Sequence, residues 1–183
     1  MDSSLSPNPL DGIVPLLETE RLRLRVHRAD DLDDIATMWA DPEVVRYIGG
    51  TPQTVERSQN RICAKVGHWL LFGYGYWLVE THAGEFVGSA GFMTGIRTIS
   101  PPLRGIEMGW VISPAMHGKG YAFEACQAAL DWLDDARAPE VVSAIVAPEN
   151  TASINLATKL GFQQIRETEY LGDPCLVLER PRP

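Results

Sequence analysis

The sequence predicts one α/β domain built on a mixed sheet, with the element order β-α-α-β-β-β-α-β-α-β-β. Segments with alternating or continuous apolar residues, typical of strands, are interspersed with segments whose apolar residues recur at helical spacing. No internal repeat, low-complexity tract or linker divides the chain. Its 183 residues suffice for one well-buried core and are few for two, so a single domain is predicted.

The N-terminal part is predicted to be a polar tail followed by a strand. Residues 1–15 are rich in Ser, Pro and Asn, and we expect them to be a poorly ordered tail before a domain of residues 16–183. Apolar residues alternate with arginine through Glu20–Val26. This alternation predicts a half-exposed strand with a basic outer face.

Two helices are expected next. Asp30 and Asp31 are suitable caps for the first, which stops before Asp41-Pro42 because proline disfavours helical geometry in the residue that precedes it. The second helix starts at Thr54 and is closed by Gly73.

The middle of the chain is predicted to form strands. A hairpin of Tyr76–Glu80 and Glu85–Met93 comes first, followed by the longest irregular stretch, residues 94–104. A central strand, Ile106–Ser113, is ended by Pro114, which cannot donate a ladder hydrogen bond.

The C-terminal part alternates helices and strands. A helix with apolar residues at helical spacing runs through Ala122–Leu133. Val141–Ala147 is apolar on both faces, which favours a buried parallel strand. A short helix, Asn150–Leu160, precedes a last pair of strands at Phe162–Thr168 and Cys175–Glu179.

Two glycines mark the junction between the central strand and the following helix. The loop His117-Gly118-Lys119-Gly120 can adopt φ > 0 and lets another molecule approach the backbone closely. The free N–H groups of the helix's first turn then form a site for phosphate or pyrophosphate. A plain tight turn is the structural alternative. The loop matches neither the dinucleotide fingerprint nor the P-loop.

Composition limits the function classes. A net charge of −8 argues against a general nucleic-acid binder and is compatible with amine-bearing substrates. Cys63, Cys126 and Cys175 are far apart and form no cluster with histidine, so neither a disulfide frame nor a metal site is predicted. Since no secretory signal and no membrane-spanning run are present, we expect a soluble cytoplasmic protein without a membrane or nucleic-acid partner.

Three motifs together resemble the GNAT acyltransferase superfamily of acetyl-CoA-dependent N-acetyltransferases. They are Glu107–Trp110 followed by His117–Ala125, then Glu149–Ser153, and then Lys159–Phe162. The resemblance spans residues 17–180 and is greatest to the branch that holds ribosomal-protein-alanine acetyltransferases. It implies a GNAT-like domain whose central strand splays from the next one, Val141–Ala147.

The resemblance also implies how acetyl-CoA, the acyl donor, is held. The family's loop, Arg/Gln-x-x-Gly-x-Gly/Ala, falls on His117, Gly120 and Ala122, and His117 departs from the usual first residue. Main-chain amides of the loop bind pyrophosphate, and the pantetheine arm lies along the central strand, with Asn150 in contact. The implied donor-binding residues are Trp110, Val111, Ile112, His117, Gly118, Lys119, Gly120, Tyr121, Ala122 and Asn150.

Two residues are the catalytic candidates. Glu107 is a carboxylate in an otherwise apolar strand, which favours a general base, direct or through water; a structural carboxylate is the alternative. Many relatives carry a Tyr general acid where this chain has Ala157. Ser153 lies one helical turn earlier, and the branch resemblance implies that it is the acid. A bound water or an unassisted thiolate would be the alternative, and helix capping explains Asn150 and Ser153 structurally.

The predicted function is therefore acetyl transfer from acetyl-CoA to a primary amine by direct attack in a ternary complex. The acceptor is a protein N-terminus or a small-molecule amine, and the variable loops that would select it lie near residues 41–54, 94–104 and 167–174. A non-catalytic acyl-CoA-binding or sensor module is the alternative that Ala157 favours, and a nucleotide-binding domain is a third. The sequence leaves the oligomeric state open, a homodimer included.

Overall fold

In the computed structural model, which describes residues 12–94 and 96–182, eight strands form one sheet. The strands are β1 (Leu17–Glu18), β2 (Leu22–Arg25), β3 (Tyr76–Thr81), β4 (Phe86–Met93), β5 (Ile106–Ile112), β6 (Val141–Val146), β7 (Gln163–Tyr170) and β8 (Asp173–Pro181). Their order across the sheet is β1-β2-β3-β4-β5-β6-β8-β7, and only β5 and β6 pair in parallel. The predicted mixed sheet is confirmed.

Helices cover both faces of the sheet. They are α1 (Leu32–Ala40), α2 (Pro42–Val45), α3 (Val55–Phe72), α4 (Tyr121–Ala136) and α5 (Thr151–Lys159). Because side chains alternate across a strand, neighbouring residues of β3 enter different cores. Leu78 packs with α1 and α3 on what we call the α3 face, whereas Trp77 packs with Leu130 of α4 on the α4 face. None of the helices in the described residues is long and apolar enough to cross a membrane.

Local capping explains why α3 forms where it does. The Thr54 hydroxyl accepts a hydrogen bond from the Arg57 N–H at 3.3 Å, and Gly73 ends the helix in the left-handed conformation, with φ +69°. Threonine at the start and glycine just past the end are the residues that these positions favour. Both predicted ends of this helix are confirmed.

The sheet opens between β5 and β6. The parallel pairing is limited to Ile106 with Val142 and Glu107 with Ser143. On its other side, β5 pairs with β4 as far as Ile112, and β6 pairs with β8 along its full length. The two strands therefore diverge beyond Glu107 and leave two unpaired edges that face each other, as predicted.

Three local features differ from the prediction. The order gains the two-residue strand β1 and the one-turn helix α2, which Asp41 caps by accepting from the Glu43 N–H at 2.8 Å. Pro42 stands in the first turn of α2, where a missing N–H costs nothing, so this proline starts a helix as well as following one. The predicted tail, residues 1–15, includes Val14, which is buried in the main core. Packing therefore begins before the predicted boundary, and residues 1–11 lie outside the described residues.

Candidate active site

The loop between β5 and α4 contains consecutive backbone N–H groups that lack a hydrogen-bond partner among the described residues. Gly118 and Gly120 have φ of +74° and +80°, a conformation that glycine adopts without strain. From Gly118 to Phe123 the backbone N–H groups make no hydrogen bond to another described residue, whereas the N–H of His117 donates to the Pro114 carbonyl at 3.1 Å. The free amides thus begin one residue later than predicted. Together with the positive end of the α4 dipole, these amides are suited to bind an anion.

An ion pair holds this loop in place from the N-terminal strand region. The Glu124 carboxylate accepts from the Thr19 hydroxyl at 2.6 Å and from the Arg21 backbone N–H at 2.8 Å. Its other oxygen pairs with the Arg21 guanidinium, which also donates to the Lys119 carbonyl at 2.9 Å. Burial raises the pKa of Glu124, but the hydrogen bonds from Thr19 and Arg21 lower it more, so the net pKa lies below its ordinary value. The carboxylate form is therefore the stable one.

Hydrogen bonding along β5 decides which main-chain groups face the opening. The Ser113 N–H donates to the Val87 carbonyl at 2.9 Å, and hydrogen-bonded pairs alternate along an antiparallel ladder. Val111 therefore bonds to β4, and its side chain packs on the α3 face, so its main chain does not face the opening. The amide and carbonyl of Trp110 face the opening. The Ile112 carbonyl accepts a hydrogen bond from His117 Nε2 at 2.9 Å.

Glu107 lies at the vertex of the opening and is 6% exposed. Arg97, from the irregular stretch before β5, forms a bidentate ion pair with Glu107. Its Nε donates to Oε2 and its Nη2 donates to Oε1, both at 2.5 Å. The Arg97 guanidinium also stacks 4.7 Å from the centre of the Tyr170 ring. Burial lowers the pKa of Arg97, but its hydrogen bond to Glu107 and the carboxylate charge raise it more. Both oxygens of the Glu107 carboxyl group therefore accept from one fixed cationic partner.

A cavity of about 250 Å³ opens beside this pair on the α3 face. Both Arg97 and Glu107 line it. Thr94, Ile96, Pro102 and Leu103, all from the stretch predicted to be a variable loop, supply part of the wall. A molecule in this cavity reaches Glu107 without crossing the sheet.

Ser153 lies on the opposite side of β5 from Glu107. Its hydroxyl accepts a hydrogen bond from the Trp110 indole N–H at 3.3 Å, and its backbone N–H donates to the Asn150 side chain at 3.1 Å. Asn150 is therefore the N-cap of α5, which was the structural alternative for this residue. Ala157, one turn further, is 1% exposed and belongs to the main core.

Two residues at the vertex were missed from the sequence. Arg97 lies in a stretch without periodicity, and its partner Glu107 is distant in the chain. The sequence indicates for Tyr76 only a place at the start of a predicted strand, yet its hydroxyl lies against Gly109 of β5, where a Cβ would overlap it. The available signal was glycine in strand interiors, at Gly91 and Gly109, since such positions often mark a close approach.

Comparison with known proteins shows the family to which the fold belongs. Residues 21–163 match the acetyltransferase (GNAT) domain family. The N-acetyltransferase p20 of Bacillus licheniformis, itself uncharacterized, is 31% identical over 150 residues, which cover 81% of this chain and 82% of p20.

Solved structures share the fold. A Bordetella pertussis protein assigned to the GNAT acetyltransferases is 30% identical, with a TM-score of 0.80 over 91% of this chain and 99% of its own. The ribosomal-protein-S5-alanine acetyltransferase of Vibrio fischeri is 18% identical, with a TM-score of 0.70 over 92% of this chain and 97% of its own. At that identity the likeness shows the fold alone, so the branch stays a prediction. Because the family match spans well over half of the 183 residues, this chain belongs to the GNAT acetyltransferase family.

Proposed function

We propose that this enzyme transfers an acetyl group from acetyl-CoA to a primary amine, by direct attack of the amine while both substrates are bound. The observation that supports the proposal is that the free backbone amides of the α4 loop adjoin the unpaired edge of β5. The uncommitted amides of residues 118–123 lie at the end of β5, and the unpaired edge of β5 runs from there to Glu107. An extended arm anchored by its diphosphate can add to β5 like a strand and end beside the carboxylate.

Apart from Val111, whose main chain bonds to β4 and not toward the opening, the predicted donor-binding residues have distinct parts in this proposal. Gly118, Lys119, Gly120, Tyr121 and Ala122 offer backbone N–H groups to the diphosphate. Trp110 offers its main-chain groups to the pantetheine arm. The side chain of His117 orders the end of β5 through the Ile112 carbonyl. The Asn150 amide oxygen caps α5, which leaves its NH₂ group to contact the arm.

Glu107 is proposed to take the proton that the amine must lose, directly or through water. An amine of the lysine type has a pKa near ~10.4 and is protonated at neutral pH. The carboxylate faces the cavity on the α3 face, where the acceptor would enter. Direct attack is favoured over an acyl-enzyme because Cys126, on α4, is fully buried, and burial raises the pKa of its thiol.

The acceptor is proposed to be a protein N-terminus or a small-molecule amine. A screen for release of free thiol from acetyl-CoA, with peptides, polyamines, aminoglycosides and amino acids as acceptors, identifies it. Intersecting initial-rate lines are expected for a ternary complex. Parallel lines would indicate an acyl-enzyme instead, and thiol release with none of the amines would favour an acyl-CoA-binding module.

The donor site is tested by Gly120→Val. The substitution forces a branched side chain into a φ of +80° and places a Cβ 3.4 Å from Arg21 Nη2, so calorimetry should show acetyl-CoA affinity at least about tenfold weaker. Gly84→Val is the matched control: φ is +84°, and a Cβ there meets nothing within 4 Å. Equal affinity in the two variants would contradict the donor site.

The base is tested by Glu107→Gln. Turnover should fall about 100-fold or more while acetyl-CoA affinity stays within twofold, because general-base catalysis typically contributes that much. Glu80→Gln is the control, since Glu80 is 9% exposed on the same face and pairs with Arg25 away from the opening. Wild-type rates in Glu107→Gln across the pH range would remove Glu107 from the mechanism.

A further inference from the structure

Tyr76, Gly91 and Gly109 form one row across β3, β4 and β5. Residues paired in this way share a face of the sheet, here the α3 face that also carries Glu107. Strands lie about 4.8 Å apart, so β5 is about 10 Å from β3. The Tyr76 hydroxyl nevertheless reaches the Cα of Gly109, which requires the ring to lie across Gly91. Two glycines thus open a path for one phenol to reach the central strand.

Two residues of α3, Lys65 and Trp69, contact Tyr76. The Tyr76 carbonyl accepts from the Trp69 indole N–H at 3.0 Å, and Lys65 Nζ lies 4.9 Å from the ring centre. Lys65 is itself fixed by a hydrogen bond of 2.7 Å to the Ser89 hydroxyl. The orientation of the phenol is therefore set by packing before any ligand binds.

The Tyr76 hydroxyl has no hydrogen-bond partner within residues 12–94 and 96–182. It is nevertheless not one of the solvent-inaccessible side-chain polar atoms that lack a partner. It lies at Gly109, next to Trp110 on the free edge and two residues from Glu107. An acyl group carried to the vertex along β5 meets this hydroxyl on the side from which an amine in the cavity attacks.

We propose that the Tyr76 hydroxyl is a further catalytic group, which donates a hydrogen bond to the carbonyl oxygen of the acetyl group during transfer. This inference rests on the proposed function. The amine nitrogen forms the new C–N bond, and the carbonyl π electrons move to the oxygen that Tyr76 stabilises. Their return breaks the C–S bond and releases the thiolate, while the amine proton passes to Glu107. Tyr76 keeps its own proton throughout.

The environment of the phenol favours a hydrogen-bond donor over an acid. Burial raises the pKa of Tyr76, and the nearby Glu107 carboxylate raises it further. A thiol has a pKa near ~8.5, so proton transfer from such a phenol to the leaving thiolate would be strongly uphill. A donor that stays protonated and oriented is the arrangement that stabilises a developing oxyanion.

Tyr76→Phe tests the proposal with an isosteric change. Loss of one oxyanion donor typically lowers kcat by about 100-fold or more, and acetyl-CoA affinity by calorimetry should stay within twofold. The loss should be uniform from about pH 6 to about pH 9, because a group that keeps its proton adds no ionisation to the rate profile. Tyr74→Phe is the matched control: its hydroxyl bonds to Thr94 in the cavity wall, so its loss can change the KM for the amine, whereas kcat at saturating amine should change less than twofold.

Gly109→Ala provides an independent perturbation. A Cβ at this position overlaps the Tyr76 hydroxyl and lies 3.2 Å from Cζ, so the phenol as a whole has to shift, which moves the hydroxyl from its native position. Gly109→Ala should lower kcat about as much as Tyr76→Phe. The double variant should be no worse than Tyr76→Phe alone, since both changes remove one interaction.

Different results would overturn the role of Tyr76 and the proposed function. A Tyr76→Phe enzyme with wild-type kcat, a loss confined to one limb of the pH profile, or multiplicative losses in the double variant would each overturn the role of Tyr76. Thermal melting shows whether each variant is folded. If Gly109→Ala does not fold, Tyr76→Phe alone still tests the role of Tyr76. Failure of the wild-type protein to transfer acetyl to any amine overturns the proposed function instead, before any variant is compared.

Discussion

Replacing Arg97 with Met should destabilise the protein strongly, because it leaves the Glu107 carboxylate buried without its partner. The Arg97 and Glu107 side chains are 19% and 7% exposed, and two hydrogen bonds of 2.5 Å join them. Removing one member of a buried pair costs about 3–5 kcal/mol, and the residual exposure of Arg97 places this case near ~3 kcal/mol. The double variant Arg97→Met/Glu107→Gln should lose only about half of that, since no uncompensated charge remains.

Urea unfolding at 25 °C and neutral pH measures this cycle, with unchanged m-values as the check on two-state behaviour. Arg104→Met is the matched control from the same part of the chain. Arg104 is 66% exposed and pairs with Glu179 at 3.2 Å, so its loss should cost less than about 1 kcal/mol. If Arg97→Met costs no more than Arg104→Met, or if the two single losses simply add, the pair does not hold Glu107 as described.

Three further changes test other parts of the structure. Burial lowers the pKa of Lys65 from 10.5 to about 7, so the unfolded chain binds more protons between these values and stability should rise with pH there. In urea unfolding, Lys65→Met should lack the part of the pH-dependent increase in unfolding free energy that Lys65 contributes. The same dependence of unfolding free energy on pH as in the wild type would refute this prediction. Arg21→Met should weaken acetyl-CoA binding about tenfold by freeing the loop, with Arg23→Met, which pairs with Glu18 and Glu80, unchanged in calorimetry. Gly91→Ala should cost about 2 kcal/mol or more in urea unfolding, because its Cβ would lie 2.5 Å from the Tyr76 Cα; Gly67→Ala, in open space on α3, should not destabilise.

Elements with local signals could be predicted from the sequence. Thr54 and Gly73 define the ends of α3 through bonds to residues a few positions away, so no tertiary information was needed. Glu107 was recognised because one carboxylate interrupts an apolar alternation. In contrast, β1 has two residues and no periodicity, and Pro42 is compatible both with ending one helix and with starting another.

The missed residues depend on register, which the sequence does not specify. Tyr76 reaches Gly109 only because β3, β4 and β5 are aligned so that both partners of the phenol are glycine. Arg97 meets Glu107 because the irregular stretch folds back over the strand that it precedes. A periodic pattern predicts which face a strand residue occupies, but not which residue two strands away lies beside it.

The two sides of β5 divide the proposed chemistry. Glu107, Tyr76 and the cavity share the α3 face, whereas Ser153 lies with Trp110 and α5 on the α4 face. Because the Ser153 oxygen accepts from Trp110, its own proton remains available to a leaving thiolate. The amine would thus lose its proton on one face while the thiolate is protonated from the other. In the proposed function the donor is held by β5 and the α4 loop and the acceptor by the stretch before β5, so acceptor specificity could change without altering the groups proposed to bind acetyl-CoA.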